Sequence, residues 1–94
     1  MSYLSVERAL SKNTLLSYGR DLKKYIRYLQ ELGIKSLSQT SRKEISDFMF
    51  KLKDEGLSSV SIARNLAAIK VFCRFLVRER IIPDDPSALV DSPK

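Results

Sequence analysis

The stretch SKNTLLSYGRDLKKYIRYLQ, residues 11–30, decides the fold, because its two sides have different chemistry. Its apolar residues recur at steps of three and four, which is the period of one face of an α-helix. They are Leu15, Tyr18, Leu22, Tyr25, Ile26 and Leu29, followed by Leu32. Gly33 comes next, where a left-handed C-terminal cap is expected. The stretch therefore predicts an amphipathic helix that begins at Ser11 or Lys12 and ends near Leu32.

The rest of the chain predicts three further helices and no convincing strand. A short first helix is expected over about residues 2–10, and a third over residues 41–56. The third helix opens with the capping-box pattern Ser41–Glu44 and ends at Gly56. The fourth helix is expected to be capped by Ser58 or Ser59 and to reach about Arg80. Its apolar residues, which begin with Val60, cover more than one stripe, as in a central helix. The predicted fold is all-α, a compact bundle of four main helices.

The C-terminal segment breaks this helical pattern with Pro83 and Pro86. Asp85-Pro86-Ser87 has the pattern of one further short helical turn, and residues 91–94 read as the start of a linker. We therefore expect a single domain over residues 1–90, within the size range of chains that bury their own core.

Composition restricts the class of protein. Of the 94 residues, 44% are hydrophobic and 30% are charged, with three glycines and three prolines, which argues against disorder and against a turn-rich β-fold. The single Cys73 excludes a disulfide within the chain and favours a reducing, cytoplasmic location. Charged residues interrupt every apolar run, so no membrane segment is predicted.

The net charge of +6 is concentrated in two segments. Residues 12–32 contain five basic and two acidic residues, and residues 58–80 contain five basic and one acidic residue. Residues 41–56, in contrast, hold four of each sign. Such a distribution indicates a polyanionic partner for the second and fourth helices.

Polar residues of the second helix lie on one side of it. Steps of four and three separate Asn13, Ser17, Arg20, Lys24 and Arg27. Lys12, Asn13 and Thr14 crowd the helix N-terminus, where free backbone amides and the helix dipole attract anions. Each residue alone could be a cap or an ordinary solvated charge, but the stripe as a unit lacks the interspersed acids of a merely soluble face.

The fourth helix repeats this pattern. Ser58, Ser59, Ser61, Arg64 and Asn65 occupy its first two turns, and the basic residues Lys70, Arg74 and Arg78 follow at steps of four. Two basic helices in one bundle fit duplex DNA better than a single strand, because single-strand binders need exposed aromatic residues for base stacking.

Catalytic chemistry is not predicted for this chain. It has no histidine, and its one cysteine lies in an apolar stretch. Only Asp84-Asp85 approaches a metal-ligand cluster, and turn chemistry after Pro83 explains that pair more simply. A serine or tyrosine nucleophile would need an activating base. We therefore expect neither an enzyme in these 94 residues nor a cofactor.

Two long segments carry a family resemblance: LSKNTLLSYGRDLKKYIRYLQELGI, and GLSSVSIARNLAAIKVFCRFLVRERIIPDDPSALVDSPK. They resemble the N-terminal core-binding domain of tyrosine site-specific recombinases, of the Xer and phage-integrase type. The resemblance covers the chain from about Leu4 to Lys94. It departs from the family pattern at Gly19, where a basic residue is frequent, at Cys73, where an aromatic is common, and at Asp85, where asparagine is usual.

The resemblance implies a SAM-like bundle that clamps one side of duplex DNA, with the second and fourth helices facing the major groove. It also implies that the catalytic residues belong to a following domain, that protomers assemble on DNA, and that strand exchange through a phosphotyrosyl intermediate needs no metal or nucleotide. With Arg27 added from the stripe, the candidate DNA contacts are Lys12, Asn13, Thr14, Ser17, Arg20, Lys24, Arg27, Ser59, Ser61, Arg64, Lys70 and Arg74.

Two other interpretations remain open from the residues alone. The chain could be a helical protein-interaction module whose basic face meets an acidic partner protein. Attachment to a membrane surface is less favoured, because no helix pairs a basic face with the exposed Trp or Phe residues of an interfacial helix. Salt-sensitive binding to duplex DNA would distinguish the leading hypothesis from the first alternative.

Overall fold

The computed structural model describes the backbone of residues 12–91 and the side chains of residues 16–91. This part of the chain is helical and contains no strand. It forms three α-helices, which we label α1 (Lys12–Glu31), α2 (Arg42–Asp54) and α3 (Ser59–Arg78), and a short 3₁₀ helix (Leu37–Gln39).

The all-α prediction is confirmed, but the count of four main helices is not matched. The predicted second, third and fourth helices are α1, α2 and α3. The predicted first helix, over about residues 2–10, lies outside the described residues. The predicted C-terminal helical turn is not a helix: residues 86–89 form turns, in which the Asp85 carboxylate accepts hydrogen bonds from the backbone N–H and the hydroxyl of Ser87.

Helix starts follow the predicted capping residues. Before α2, the Glu44 carboxylate accepts hydrogen bonds from the backbone N–H of Ser41 at 3.3 Å and from its hydroxyl at 2.7 Å, so the predicted capping box is present. Before α3, Ser58 is the N-cap, and its hydroxyl oxygen accepts a hydrogen bond from the backbone N–H of Ser61 at 3.2 Å. The two bonds from backbone N–H groups satisfy amides that have no partner within a helix.

All three helices end with the same hydrogen-bond pattern. A residue with positive φ follows each helix: Gly33 (φ 79°) follows α1, Gly56 (φ 90°) follows α2, and Arg80 (φ 59°) follows α3. The next residue donates its N–H five residues back, as from Ile81 to the Leu76 carbonyl at 2.9 Å. This is the Schellman motif. A Cβ placed on either glycine would meet no atom within 4 Å, so conformation and not space favours glycine there.

The core lies between the three helices. Helix α3 packs against both α1 and α2, as its apolar composition predicts, and its contact with α1 is the most extensive. Tyr25 of α1 and Phe48 of α2 are buried with their ring centroids 5.3 Å apart. The predicted apolar stripe of α2 is fully buried, and Cys73 of α3 is buried as predicted.

Two of the residues predicted to be apolar core lie mostly in solvent. Val60 in the first turn of α3 is 77% exposed, and Leu32 after α1 is 51% exposed. Both stand at the end of a helix, where the neighbouring helices no longer cover the surface. The chain after α3 instead returns to the bundle, where Ile82, Ser87 and Val90 are buried.

Candidate nucleic-acid interface

The polar side of α1 is built by helical spacing next to its buried side. Arg20, Lys24 and Arg27 are exposed, and Ser17 is half-buried. At about 100° per residue, these four positions fall within a sector of about 80°. Lys12, Asn13 and Thr14 belong to the first turn of the same helix, but their side chains lie outside the described residues. The structure thus brings the described part of the α1 stripe together on one side.

The candidate residues of α3 divide between two sides of the helix. Ser59, Lys70 and Arg74 fall within a sector of about 60°. Ser59 and Arg74 are exposed, and Lys70 is half-buried. Ser61 points about 160° away from Ser59, and its hydroxyl accepts a hydrogen bond from the Ser58 hydroxyl at 3.1 Å. Ser61 therefore takes part in the helix cap and does not share a surface with Lys70 and Arg74.

Arg64 joins α3 to α1. Its Nε donates to Oδ2 of Asp21 at 2.9 Å, and its Nη2 donates to Oδ1 at 3.2 Å. The Asp21 side chain is only 7% exposed, whereas that of Arg64 is 46% exposed. These hydrogen bonds, and then the charge of the carboxylate, raise the pKa of Arg64 above its ordinary value. The ion pair is a forked contact between two helices, and it leaves part of the guanidinium in solvent.

Lys24 also has an acidic partner. Its Nζ lies 3.2 Å from Oε1 of Glu55, the residue that caps the C-terminus of α2. Both side chains are more than 40% exposed, so solvent screens the attraction and the pair contributes little to stability. A phosphate could replace the Glu55 carboxylate as the partner of Lys24.

Sequence reasoning missed both acids that touch the candidate residues. Asp21 did offer a signal, because it falls between Tyr18 and Tyr25 on the apolar side of α1, where an ionised side chain needs a partner. Glu55 offered none, since its contact with Lys24 depends on how the end of α2 approaches α1.

Other chemistry is not assembled in the described part of the chain. Among residues 16–91, no three His, Cys, Asp or Glu side chains are grouped so as to hold a metal ion. No helix of the described residues is long and apolar enough to cross a membrane.

Similarity to known proteins extends over nearly the whole chain. The family model "Phage integrase, N-terminal SAM-like domain" matches residues 1–80. Similar curated proteins include the tyrosine recombinase XerD of Oceanobacillus iheyensis, with 41% identity over 98% of this chain, and that of Halalkalibacterium halodurans, with 42% identity over all of it. XerD of Staphylococcus aureus strain Mu50 is 39% identical over the whole chain.

The chain spans about a third of the length of these relatives, 31% of the first and 32% of the other two. No solved structure matches the chain.

Proposed function

The chain belongs to the family of phage integrase N-terminal SAM-like domains. We therefore propose that it is a domain of a tyrosine recombinase and that it binds duplex DNA. The exposed basic residues of α1 and α3 carry the proposal. Arg20 and Arg27 on α1, and Arg74 and Arg78 on α3, are exposed, whereas residues 41–56, which contain α2, carry four charges of each sign. Arginine and lysine side chains supply the phosphate contacts that dominate DNA affinity.

The major groove is the proposed docking site for these helices. It is about 12 Å wide and admits one α-helix with its side chains. Exposed Ala63 and half-buried Ala67 lie between the basic residues of α3 on the same side. These small residues would let the helix backbone come close to the DNA. In this proposal, α1 and α3 present the candidate residues other than Ser61 to one duplex.

The rest of the recombination activity is proposed to belong to other parts of a longer protein. The relatives are about three times as long as this chain, and their printed name is tyrosine recombinase. We propose that a following domain holds the catalytic residues, that protomers assemble on the DNA, and that the protein acts in the cytoplasm. No metal or nucleotide is required in this scheme.

Fluorescence anisotropy with a labelled duplex at several salt concentrations tests the proposal. If about six cations contact phosphates, the slope of log K against log salt should be about −5, because bound cations release counterions. A slope near zero, or no binding at low salt, would contradict DNA binding. That result would favour the alternative, an acidic protein partner.

A pair of charge-matched variants locates the interface. Arg74→Gln on α3 and Lys43→Gln on α2 each remove one exposed positive charge. We expect Arg74→Gln to weaken duplex binding and to reduce the salt slope by about one, whereas Lys43→Gln should change neither by much. Equal losses from both variants would indicate general attraction between the protein and a polyanion, without a defined interface.

A further inference from the structure

Asp21 is an unusual residue for its position. It is 6% exposed, and it sits in the middle of a helix whose neighbouring polar side is basic. A buried carboxylate is unfavourable unless it is paired, and a negative charge beside a DNA-binding surface also repels phosphates. A purely apolar residue would avoid both effects, so the role of Asp21 must come from its contact with Arg64.

The geometry of this contact leaves one edge of the guanidinium free. Arginine has five N–H donors in a planar fork, and Asp21 accepts from Nε and from Nη2. Nη1 and the second hydrogen of Nη2 form the adjacent edge at the end of the side chain, which neither of these two bonds uses. Because the Arg64 side chain is 46% exposed, this edge can face a ligand in solvent. The Asp21 carboxylate fixes the plane and the direction in which the edge points.

We propose that Asp21 is a positioning residue that aims the free edge of Arg64 at a guanine in the major groove. The inference rests on the proposed function, since it requires a bound duplex. Guanine offers two acceptors, O6 and N7, that match the two donors of an arginine edge, and this pairing distinguishes guanine from the other bases. A phosphate can also accept two hydrogen bonds from an arginine edge, but such a contact carries no base preference, so base-specific binding distinguishes the two ligands.

The variant Asp21→Asn should change duplex affinity in opposite directions, depending on whether Asp21 only repels DNA or positions Arg64. The variant keeps the shape of the side chain, removes one negative charge, and offers Arg64 one acceptor where two existed. If Asp21 only opposes DNA through its charge, the variant should bind every duplex more tightly. If Asp21 positions Arg64, the variant should bind a preferred duplex about tenfold more weakly than the wild type, while its affinity for a scrambled duplex stays equal or rises.

The experiment begins with selection of preferred duplexes by the wild-type chain from a pool of randomised sequences. The guanines of the selected duplex are then replaced singly by 7-deazaguanine, which lacks the N7 acceptor. We expect one replacement to weaken wild-type binding about tenfold and to have little effect on Asp21→Asn or Arg64→Lys. Arg64→Lys keeps the positive charge but lacks the fork, so it separates charge from geometry.

The outcomes separate the two proposals. If the wild type binds no duplex at low salt, the proposed function fails, and this inference fails with it. If it binds duplexes but no 7-deazaguanine position matters, or if Asp21→Asn binds the selected duplex as tightly as the wild type, only the inference fails. Circular dichroism checks that each variant is folded. Should Asp21→Asn not fold, Arg64→Lys still tests the guanine contact that the inference requires: equal sensitivity of Arg64→Lys and the wild type to every deaza duplex would overturn the inference.

Discussion

Among residues 12–91, Arg80 is the one residue other than glycine that has a positive φ. It has φ of 59° at the end of α3, where the two equivalent positions after α1 and α2 are glycines. A left-handed conformation costs an L-residue with a Cβ about 1–2 kcal/mol. The Schellman hydrogen bond from Ile81 to the Leu76 carbonyl, and the burial of Ile82 that follows, keep the chain in this conformation.

Arg80→Gly should therefore stabilise the domain. We expect a gain of about 1 kcal/mol, because the relief of backbone strain exceeds the entropy that glycine adds to the unfolded state. For a domain of this size, the gain corresponds to an increase of roughly 4–8 °C in Tm by thermal unfolding. Arg80→Ala is the matched control, since it removes the same charge and keeps the Cβ. Equal gains from both variants would assign the effect to charge and not to φ.

At the scale of the element, α3 depends on a single serine for its start. The hydroxyl oxygen of Ser58 accepts a hydrogen bond from the backbone N–H of Ser61. This N–H has no partner within the helix. Because α3 packs against both other helices, fraying of its first turn also loosens their shared core near Ile62. The cap thus affects the stability of the domain as well as that of the helix.

Ser58→Ala should lower the free energy of unfolding by about 1 kcal/mol, the usual cost of losing a serine N-cap. Urea denaturation followed by circular dichroism measures the change. Ser59→Ala is the control, because Ser59 is the exposed first residue of α3 and alanine is the better helix former. A loss of the same size in Ser59→Ala would show that the hydroxyl at the cap position has no special role.

Local signals in the sequence predicted the elements well. The capping box at Ser41 and the glycines that follow α1 and α2 are short-range patterns, and each has the predicted role in the structure. Of the two serines predicted as possible caps of α3, Ser58 is the cap. The positive φ of Arg80 could not be predicted from the sequence, because arginine has no preference for that conformation. Helix ends are therefore predictable where the residue type itself prefers the required conformation.

The sequence patterns did not predict contacts between residues that are far apart in the chain. The partners Asp21 and Arg64 are separated by 43 positions, and only the packing of α1 against α3 brings them together. Periodicity placed Val60 among the apolar residues of α3, but it could not show that no neighbouring helix covers the first turn. The stripes on α1 and α3 remain predicted DNA contacts, and the arrangement of the acids around them came from the structure.

At the scale of the whole molecule, two acidic groups in the core connect stability to pH. Burial raises the pKa of the Cys73 thiol from its ordinary value of 9.0 to about 11. Burial also raises the pKa of the Tyr25 hydroxyl, and the nearby Cys73 adds to this shift. Both groups are neutral in the folded state at neutral pH, and unfolding would let them ionise more readily.

The domain should therefore lose stability above about pH 9. A raised pKa in the folded state gives stability that is complete below the unfolded pKa and is lost as the pH rises toward the folded pKa. For Cys73, we expect a slope of up to about 1.4 kcal/mol per pH unit between about pH 9 and 10.5, measured by urea denaturation at each pH. Cys73→Ser should have a shallower slope, since the raised pKa of the thiol no longer contributes to it. If the free energy of unfolding fell with pH equally steeply in the wild type and in Cys73→Ser, the thiol would not be a cause of the pH dependence.

The open space around Gly33 and Gly56 shows that handedness, and not lack of space, favours glycine at these two helix ends. No atom lies within 4 Å of a Cβ placed on either residue, yet φ of 79° and 90° disfavours the natural enantiomer of any larger amino acid. D-alanine, the mirror image of the natural residue, favours positive φ, and it would restrict the unfolded chain more than glycine does. In a chemically synthesised copy of the domain, D-alanine at both sites would replace the flexibility of glycine with a stereochemical preference for the native turn.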